Sequence, residues 1–155
     1  AGKRTIFLSS HMAAAYALSA ALIMFPAFLS VKGNNHKAYT GLAQWTKEKG
    51  LPEGTIIANP RWGAFPMLFY AMPQYRFLNG LDPMFAYAYD QEKTIKIEKL
   101  RTRKEIPSPE EVRKLCNSNY LFVSHEEAKL AEELLKRNYK ILYQGWDGWL
   151  FSLEE

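Results

Sequence analysis

The first apolar block of the chain is its longest: Thr5 to Val31, 27 residues, carries no Asp, Glu, Lys or Arg, and Lys32-Gly33-Asn34-Asn35 ends it. A helix rising about 1.5 Å per residue would stretch this run to roughly 40 Å, beyond the roughly 30 Å hydrocarbon core of a bilayer. The pattern predicts a transmembrane helix within residues 1–32. Ala13, Ala14, Ala15, Ala17, Ser19, Ala20 and Ala21 are small enough to let neighbouring helices approach, and Pro26 kinks rather than abolishes a helix in lipid. A signal peptide has a shorter apolar core, about 7 to 15 residues. The competing reading is a buried helix of a soluble domain, because Ser9, Ser10, His11 and Ser30 dilute the hydrophobicity. The chain begins with Ala rather than Met, and the expectation is a longer polypeptide whose last span this is.

Beyond Lys32 the pattern shortens and alternates. His36 to Lys49 reads as an amphipathic helix stopped by Gly50. Thr55 to Ala58 is a short β-branched strand closed by Asn59-Pro60. Trp62 to Met72 is an aromatic-rich helix with Pro66 in its first turn, and Tyr75 to Leu78 is a second strand candidate before Asn79-Gly80. Asp82 before Pro83 has the arrangement of an N-cap opening the apolar segment Met84 to Tyr89. Asp90 to Glu105 is charged and weakly patterned, either an exposed helix or a mobile connection.

Ser108-Pro109-Glu110-Glu111 predicts a capping box at the start of a helix ending near Cys116. Tyr120 to Val123 is an apolar strand. Ser124 and Glu127 repeat the Ser-x-x-Glu spacing before a stripe of Ala128, Leu130, Ala131, Leu134 and Leu135. Lys140 to Tyr143 and Trp149 to Leu153 flank Gly145-Trp146-Asp147-Gly148 and predict an antiparallel hairpin, with Asp147-Gly148 as its type I′ pair. The predicted fold of residues 33–155 is therefore α/β: a small mixed sheet with packed helices and a C-terminal β-hairpin, in one soluble domain.

Charge and composition narrow the chemistry. Lys3, Arg4 and Lys32 flank the apolar run, which leaves 17 basic residues against 16 acidic ones elsewhere, so the pI near 9.1 is no nucleic-acid signal. Lys93, Lys96, Lys99, Arg101, Arg103 and Lys104 are interrupted by Glu92, Glu98 and Glu105, as on a solvated face rather than an anionic-lipid patch. A single cysteine, Cys116, excludes an intramolecular disulfide and a Cys-based zinc site, and reads as a buried small hydrophobe. His11, His36 and His125 have no metal-ligand spacing, and neither a phosphate loop nor a G-x-S-x-G elbow is present. No metal and no cofactor is expected in this fragment.

The segment Asn59-Pro60-Arg61-Trp62-Gly63-Ala64-Phe65-Pro66-Met67-Leu68-Phe69-Tyr70, with Tyr75 and Gly80-Leu81-Asp82-Pro83-Met84-Phe85 after it, carries a resemblance. It resembles the C-terminal soluble domain of uncharacterised bacterial multi-spanning membrane proteins related to the dolichyl- or polyprenyl-phosphate-sugar glycosyltransferases of the C-type fold. Trp45, Ile56 to Ala58, Trp62 to Phe69 and Gly80 to Pro83 match in order; the likeness covers most of residues 15–153 and its specific motifs lie between Asn59 and Phe85. Arg61 departs from the pattern, where an acidic or neutral residue is expected. The resemblance implies a polytopic inner-membrane protein that transfers sugar from a lipid phosphate carrier, with this domain extracytoplasmic. Its catalytic acid would lie in an early loop outside this chain. The implied partners are membrane lipid, the rest of the membrane domain, and a lipid-linked sugar or glycan acceptor.

The candidate ligand-binding residues are Asn59, Arg61, Trp62, Tyr75 and Asp82, because a guanidinium grips phosphate, an indole stacks on a sugar face and a carboxylate binds hydroxyls. The competing reading is structural: Trp62, Phe65 and Phe69 in the core, Asp82 a helix cap, and Arg61 paired with Asp82 or another carboxylate. Trp146 and Trp149, with Asp147 between them, are candidates for a carbohydrate platform, against the alternative that they cover the sheet edge. Two functions stand beside each other: an accessory domain of a membrane glycosyltransferase-like protein, or a single-span anchored domain that binds a partner protein or envelope glycan.

Overall fold

Short runs of apolar residues, each long enough for one strand, assemble into a single five-stranded sheet in the computed structural model, which describes residues 38–80 and 83–154. The strands are β1 (Ile56–Ala58), β2 (Arg76–Phe77), β3 (Tyr120–Ser124), β4 (Lys140–Gly145) and β5 (Gly148–Ser152), in the spatial order β2-β1-β3-β5-β4. β1 runs parallel to both β2 and β3, whereas β5 is antiparallel to β3 and to β4. The mixed sheet and the terminal hairpin are those the pattern predicts. Among the described residues no helix is long and apolar enough to cross a membrane. The predicted span, Thr5 to Val31, lies outside them, as does Asp82.

Six α-helices are described: α1 (Thr40–Glu48), α2 (Phe65–Ala71), α3 (Pro83–Tyr89), α4 (Gln91–Arg101), α5 (Pro109–Cys116) and α6 (Ala128–Lys136). Short 3₁₀ turns, Trp62–Ala64 and His125–Glu127, lead into α2 and α6. The charged stretch after Asp90 is helix α4, capped by the Asp90 carboxylate, which accepts the Lys93 N–H at 3.0 Å. Its sparse apolar positions suffice because Ile97 and Leu100 alone reach the core.

Successive residues of a strand point to opposite faces, and both faces of this sheet are covered. Ala58, Leu121, Val123 and Phe151 join Leu100 of α4, Val112 and Cys116 of α5, and Leu130, Ala131 and Leu134 of α6. Ile57, Phe122 and Leu150 join Leu42 of α1 and Leu68 of α2. Such two-sided burial explains why Leu121, Phe122 and Val123 form an unbroken apolar run. Each fully buried Leu or Phe adds about 2 kcal/mol of hydrophobic stabilisation. Burial raises the Cys116 thiol to about 11, as suits a core residue rather than a nucleophile.

Three local expectations are corrected. Trp62 and Phe69 are not core: about half of each side chain is exposed, Trp62 in the turn before α2 and Phe69 within α2, whose one fully buried side chain is Leu68. Leu135 likewise faces outward at the margin of the α6 stripe. In the hairpin, Gly145 pairs with Gly148, so the two central turn residues are Trp146 and Asp147, neither with positive φ. Gly148 instead opens β5 at φ 148°, where a Cβ would lie 2.3 Å from the Val123 carbonyl oxygen. The type I′ assignment fails because the Asp147 carboxylate is held from outside the turn. It accepts the Leu42 N–H at 2.8 Å and the Tyr143 hydroxyl at 2.5 Å.

Candidate functional site

The chain leaves β1 through α2, on one face of the sheet, and leaves β3 through α6, on the other. Between the carboxyl ends of these neighbouring parallel strands the connections diverge, and in open α/β sheets that crevice is where ligands bind. Two loops border it: Asn59-Pro60-Arg61-Trp62 after β1 and Ser124-His125-Glu126-Glu127 after β3. Because Ser124 pairs with Gly148, the Trp146–Asp147 turn adjoins the same edge.

Asn59 anchors the first loop. Its buried amide oxygen accepts the Asn79 N–H at 3.0 Å, and its Nδ2 donates to the carbonyls of Asn79 at 3.1 Å and Arg61 at 3.3 Å. Asn79 returns the contact from its Nδ2 to the Pro60 carbonyl at 2.8 Å. A loop so held aims Arg61 across the crevice, where its guanidinium forms an ion pair with Glu126. Trp62, next in sequence, is 48% exposed.

The second loop holds the least satisfied groups among the described residues. Ser124 Oγ and Glu127 Oε2 are both buried and neither has a hydrogen-bond partner. The Glu127 side chain is only 9% exposed, and its closest charged contact is Arg101 Nη1, 3.6 Å from one carboxylate oxygen. That guanidinium is already engaged by Glu98 through two bonds of 2.8 and 2.6 Å. Burial therefore raises the Glu127 pKa, although Arg101 and Arg61 pull it back.

Tyr39 completes the cluster. It packs edge-on against Phe122 at 5.4 Å, and burial raises its hydroxyl pKa, against the pull of Arg61 and with help from the Asp147 and Glu127 carboxylates. His125 stacks on Trp149, with ring centroids 6.1 Å apart and planes at 7°, and its N–H donates to the Asp147 carbonyl at 3.1 Å. Burial, and then the bond to Asp147, raises the Tyr143 hydroxyl pKa.

Two depressions open beside this cluster and share Arg101. One, of about 490 Å³, is bordered by Arg101 to Arg103 and by Glu126 to Lys129. The other, of about 270 Å³, lies among Pro60, Trp62, Asn79, Tyr87 and Glu98. A third, of about 580 Å³, is at the opposite end of the sheet, around Thr55, Arg113, Lys114 and Asn117 to Tyr120. It borders no buried group left without a partner, and volume alone does not make it the better candidate.

Of the residues singled out from sequence, the fold brings Asn59, Arg61 and Trp62 to the carboxyl edge and sets Trp146 there, 56% exposed on its turn. Trp149 is turned inward instead, stacked on His125 and packed against the core. Tyr75 is buried at the other end of β2, where its hydroxyl donates to the Leu51 carbonyl at 3.2 Å. Sequence reasoning missed Tyr39, Arg101, Glu126 and Glu127 as site residues. Ser124 and Glu127 carried a legible signal, but it was that of a helix cap. Among the described residues no group of three or more His, Cys, Asp or Glu side chains could hold a metal ion. The side chains at the edge are those of recognition: guanidinium, carboxylate, hydroxyl and indole.

No family model matches the chain, and neither a curated protein nor a solved structure matches it.

Proposed function

We propose that this chain is the C-terminal accessory part of a multi-spanning, glycosyltransferase-like membrane protein that uses a lipid-phosphate sugar donor, with catalysis outside the chain. The carboxyl edge of the sheet is the surface it turns toward the donor headgroup or the glycan acceptor. One observation carries this reading: the Arg61-Trp62 loop and the Ser124–Glu127 turn meet at the β1/β3 crevice, combining cationic, carboxylate and half-exposed indole groups. Those are the groups that recognise a phosphorylated sugar. The resemblance of Asn59 to Phe85 supports the same assignment, and Arg61, its point of departure, has a carboxylate partner in Glu126.

The anchored, partner-binding alternative draws on a different surface. Phe69 and Tyr70 on α2, and Phe85 and Tyr89 on α3, are exposed aromatic side chains; such groups are enriched at protein interfaces.

The deciding experiment places the full 155-residue chain in lipid nanodiscs and titrates polyprenyl-phosphate glucose, following tryptophan fluorescence while assaying sugar transfer. Saturable binding without transfer is the expected result. Transfer by the chain alone would overturn the accessory role, and absence of binding would overturn the ligand-facing edge.

A further inference from the structure

Helix α3, Pro83–Tyr89, contains no charged residue, and a helix that is apolar all round is normally buried. This one is not. Phe85 is 78% exposed and Tyr89 94%, and among the described residues none of Met84 to Tyr89 joins either core cluster. Its main neighbour is α4, into which it runs directly: the Asp90 N–H donates to the Ala86 carbonyl at 2.9 Å, and Gln91 Nε2 donates to the Tyr87 hydroxyl. Ala86 and Tyr87 border the 270 Å³ depression together with Met84 and the half-exposed Trp62. Phe85, Ala88 and Tyr89, three and four residues apart, therefore make an outward stripe on the opposite side of the helix.

A cover for this stripe must take the Phe85 ring into an apolar medium and leave the Tyr89 hydroxyl a hydrogen-bond partner, which the boundary between lipid headgroups and acyl chains does. The chain brings such a boundary close. The uncharged run ends at Val31 and α1 begins at Thr40, so the eight residues between them reach at most roughly 30 Å. Charge is not the attraction, because Lys96, Lys99 and Arg101 of α4 are paired with Glu92, Glu105 and Glu98. We propose that α3 lies in the bilayer interface, with Phe85 and Tyr89 inserted below the headgroups of neutral lipid. Because Met84 and Tyr87 share a depression with Trp62, this seating holds the carboxyl edge of the sheet at headgroup depth. The inference rests on the membrane placement in the proposed function, not on its sugar donor.

The test uses the full chain in phosphatidylcholine nanodiscs containing nitroxide-bearing lipids, with an environment-sensitive fluorophore on Phe85→Cys, Tyr89→Cys, Ala17→Cys or Lys114→Cys, one variant at a time. Cys116 is buried with its thiol raised to about 11, so it stays unlabelled. Both α3 labels are expected to lose most of their fluorescence to nitroxides near the headgroup, and the label on Lys114, at the opposite end of the sheet, none. Phe85 and Tyr89 are exposed, so replacing them leaves the core packing intact, and a thermal melt of each variant checks this. Quenching at Ala17, in the uncharged run, without quenching on α3 overturns the inference and spares the proposed function. Quenching at no position overturns the membrane placement on which both rest. Equal quenching at Lys114 removes the special role of α3. Quenching that needs anionic lipid and vanishes in salt makes the α4 cations the attraction and overturns aromatic insertion. An α3 label shielded only at high chain concentration, and never quenched, gives the helix to a protein contact instead.

Discussion

Ser108 to Glu111 and Ser124 to Glu127 carry the same Ser-x-x-Glu spacing, each just before a helix, and the fold treats them oppositely. At α5 the box closes: Ser108 N–H donates to Glu111 Oε2 at 2.7 Å, Ser108 Oγ–H donates to the same oxygen at 2.8 Å, and Glu111 N–H reaches Ser108 Oγ at 3.3 Å. Those bonds hold the exposed Glu111 carboxyl below its usual range, while burial pushes Glu127 above its own. The difference lies in the residue after each serine. Pro109 presets the helical φ, so Glu111 arrives at the third position of an α-helix. His125 instead continues the sheet edge, donating its N–H to the Asp147 carbonyl and stacking on Trp149, so the chain makes a 3₁₀ turn and the helix begins only at Ala128. A capping motif thus serves stability where the chain is free to turn, and stays open where the sheet holds it.

The largest expected effect tests whether partners make the difference between buried carboxylates. Asp147 is buried at the same edge as Glu127 but fully engaged, so Asp147→Ala strands the Leu42 N–H and the Tyr143 hydroxyl. It should cost about 3 kcal/mol in urea unfolding, against near-neutral behaviour if those bonds are idle. Glu127→Gln should go the other way and stabilise the unliganded chain at pH 7, because the cost of burying the Glu127 charge outweighs the pull of Arg101 and Arg61.

The sign follows from the raised pKa. Between the unfolded value near 4.5 and the higher folded value, the native state binds more protons than the unfolded state, so stability falls as pH rises through that window. The melting temperature of E127Q minus that of the wild type should widen over that interval and then level off. A gap independent of pH would remove burial as the cause.

Ser108→Ala should cost about 1 kcal/mol, the usual worth of an N-cap, whereas Ser124→Ala should change stability by less than about 0.5 kcal/mol. Equal losses would mean that both boxes are closed in solution. The smallest effect is at Glu111, whose lowered pKa contributes stability above its unfolded value, lost as pH falls through the folded one. Glu111→Gln should abolish that acid-side slope in a pH series of thermal melts without altering stability trends above neutrality.

Local patterning made much of the framework legible. The Tyr120 to Val123 run, the α5 cap and the terminal hairpin all rest on neighbours a few residues apart, and the structure contains each. The site was less legible because its members come together through topology. Arg61 and Glu126 are distant in sequence, and nothing near either residue announces the other. Tyr75 illustrates the converse: it lies within the segment carrying the resemblance, yet the parallel direction of β2 puts it at the end of the sheet away from the crevice.

Sequence by itself determined the α/β class and most of the elements of the described residues, but left Asp90 to Glu105 open, because hydrophobic period, caps and turn residues act over short range and that stretch carries little apolar pattern. Only the tertiary structure decided which Ser-x-x-Glu closes, which buried carboxylate is partnered, and that Arg61 and Glu127 share one edge. Those outcomes depend on strand order and on competition for hydrogen bonds between distant segments. A carboxylate's environment is set by whatever the fold places beside it, and at Glu127 the fold places too few donors.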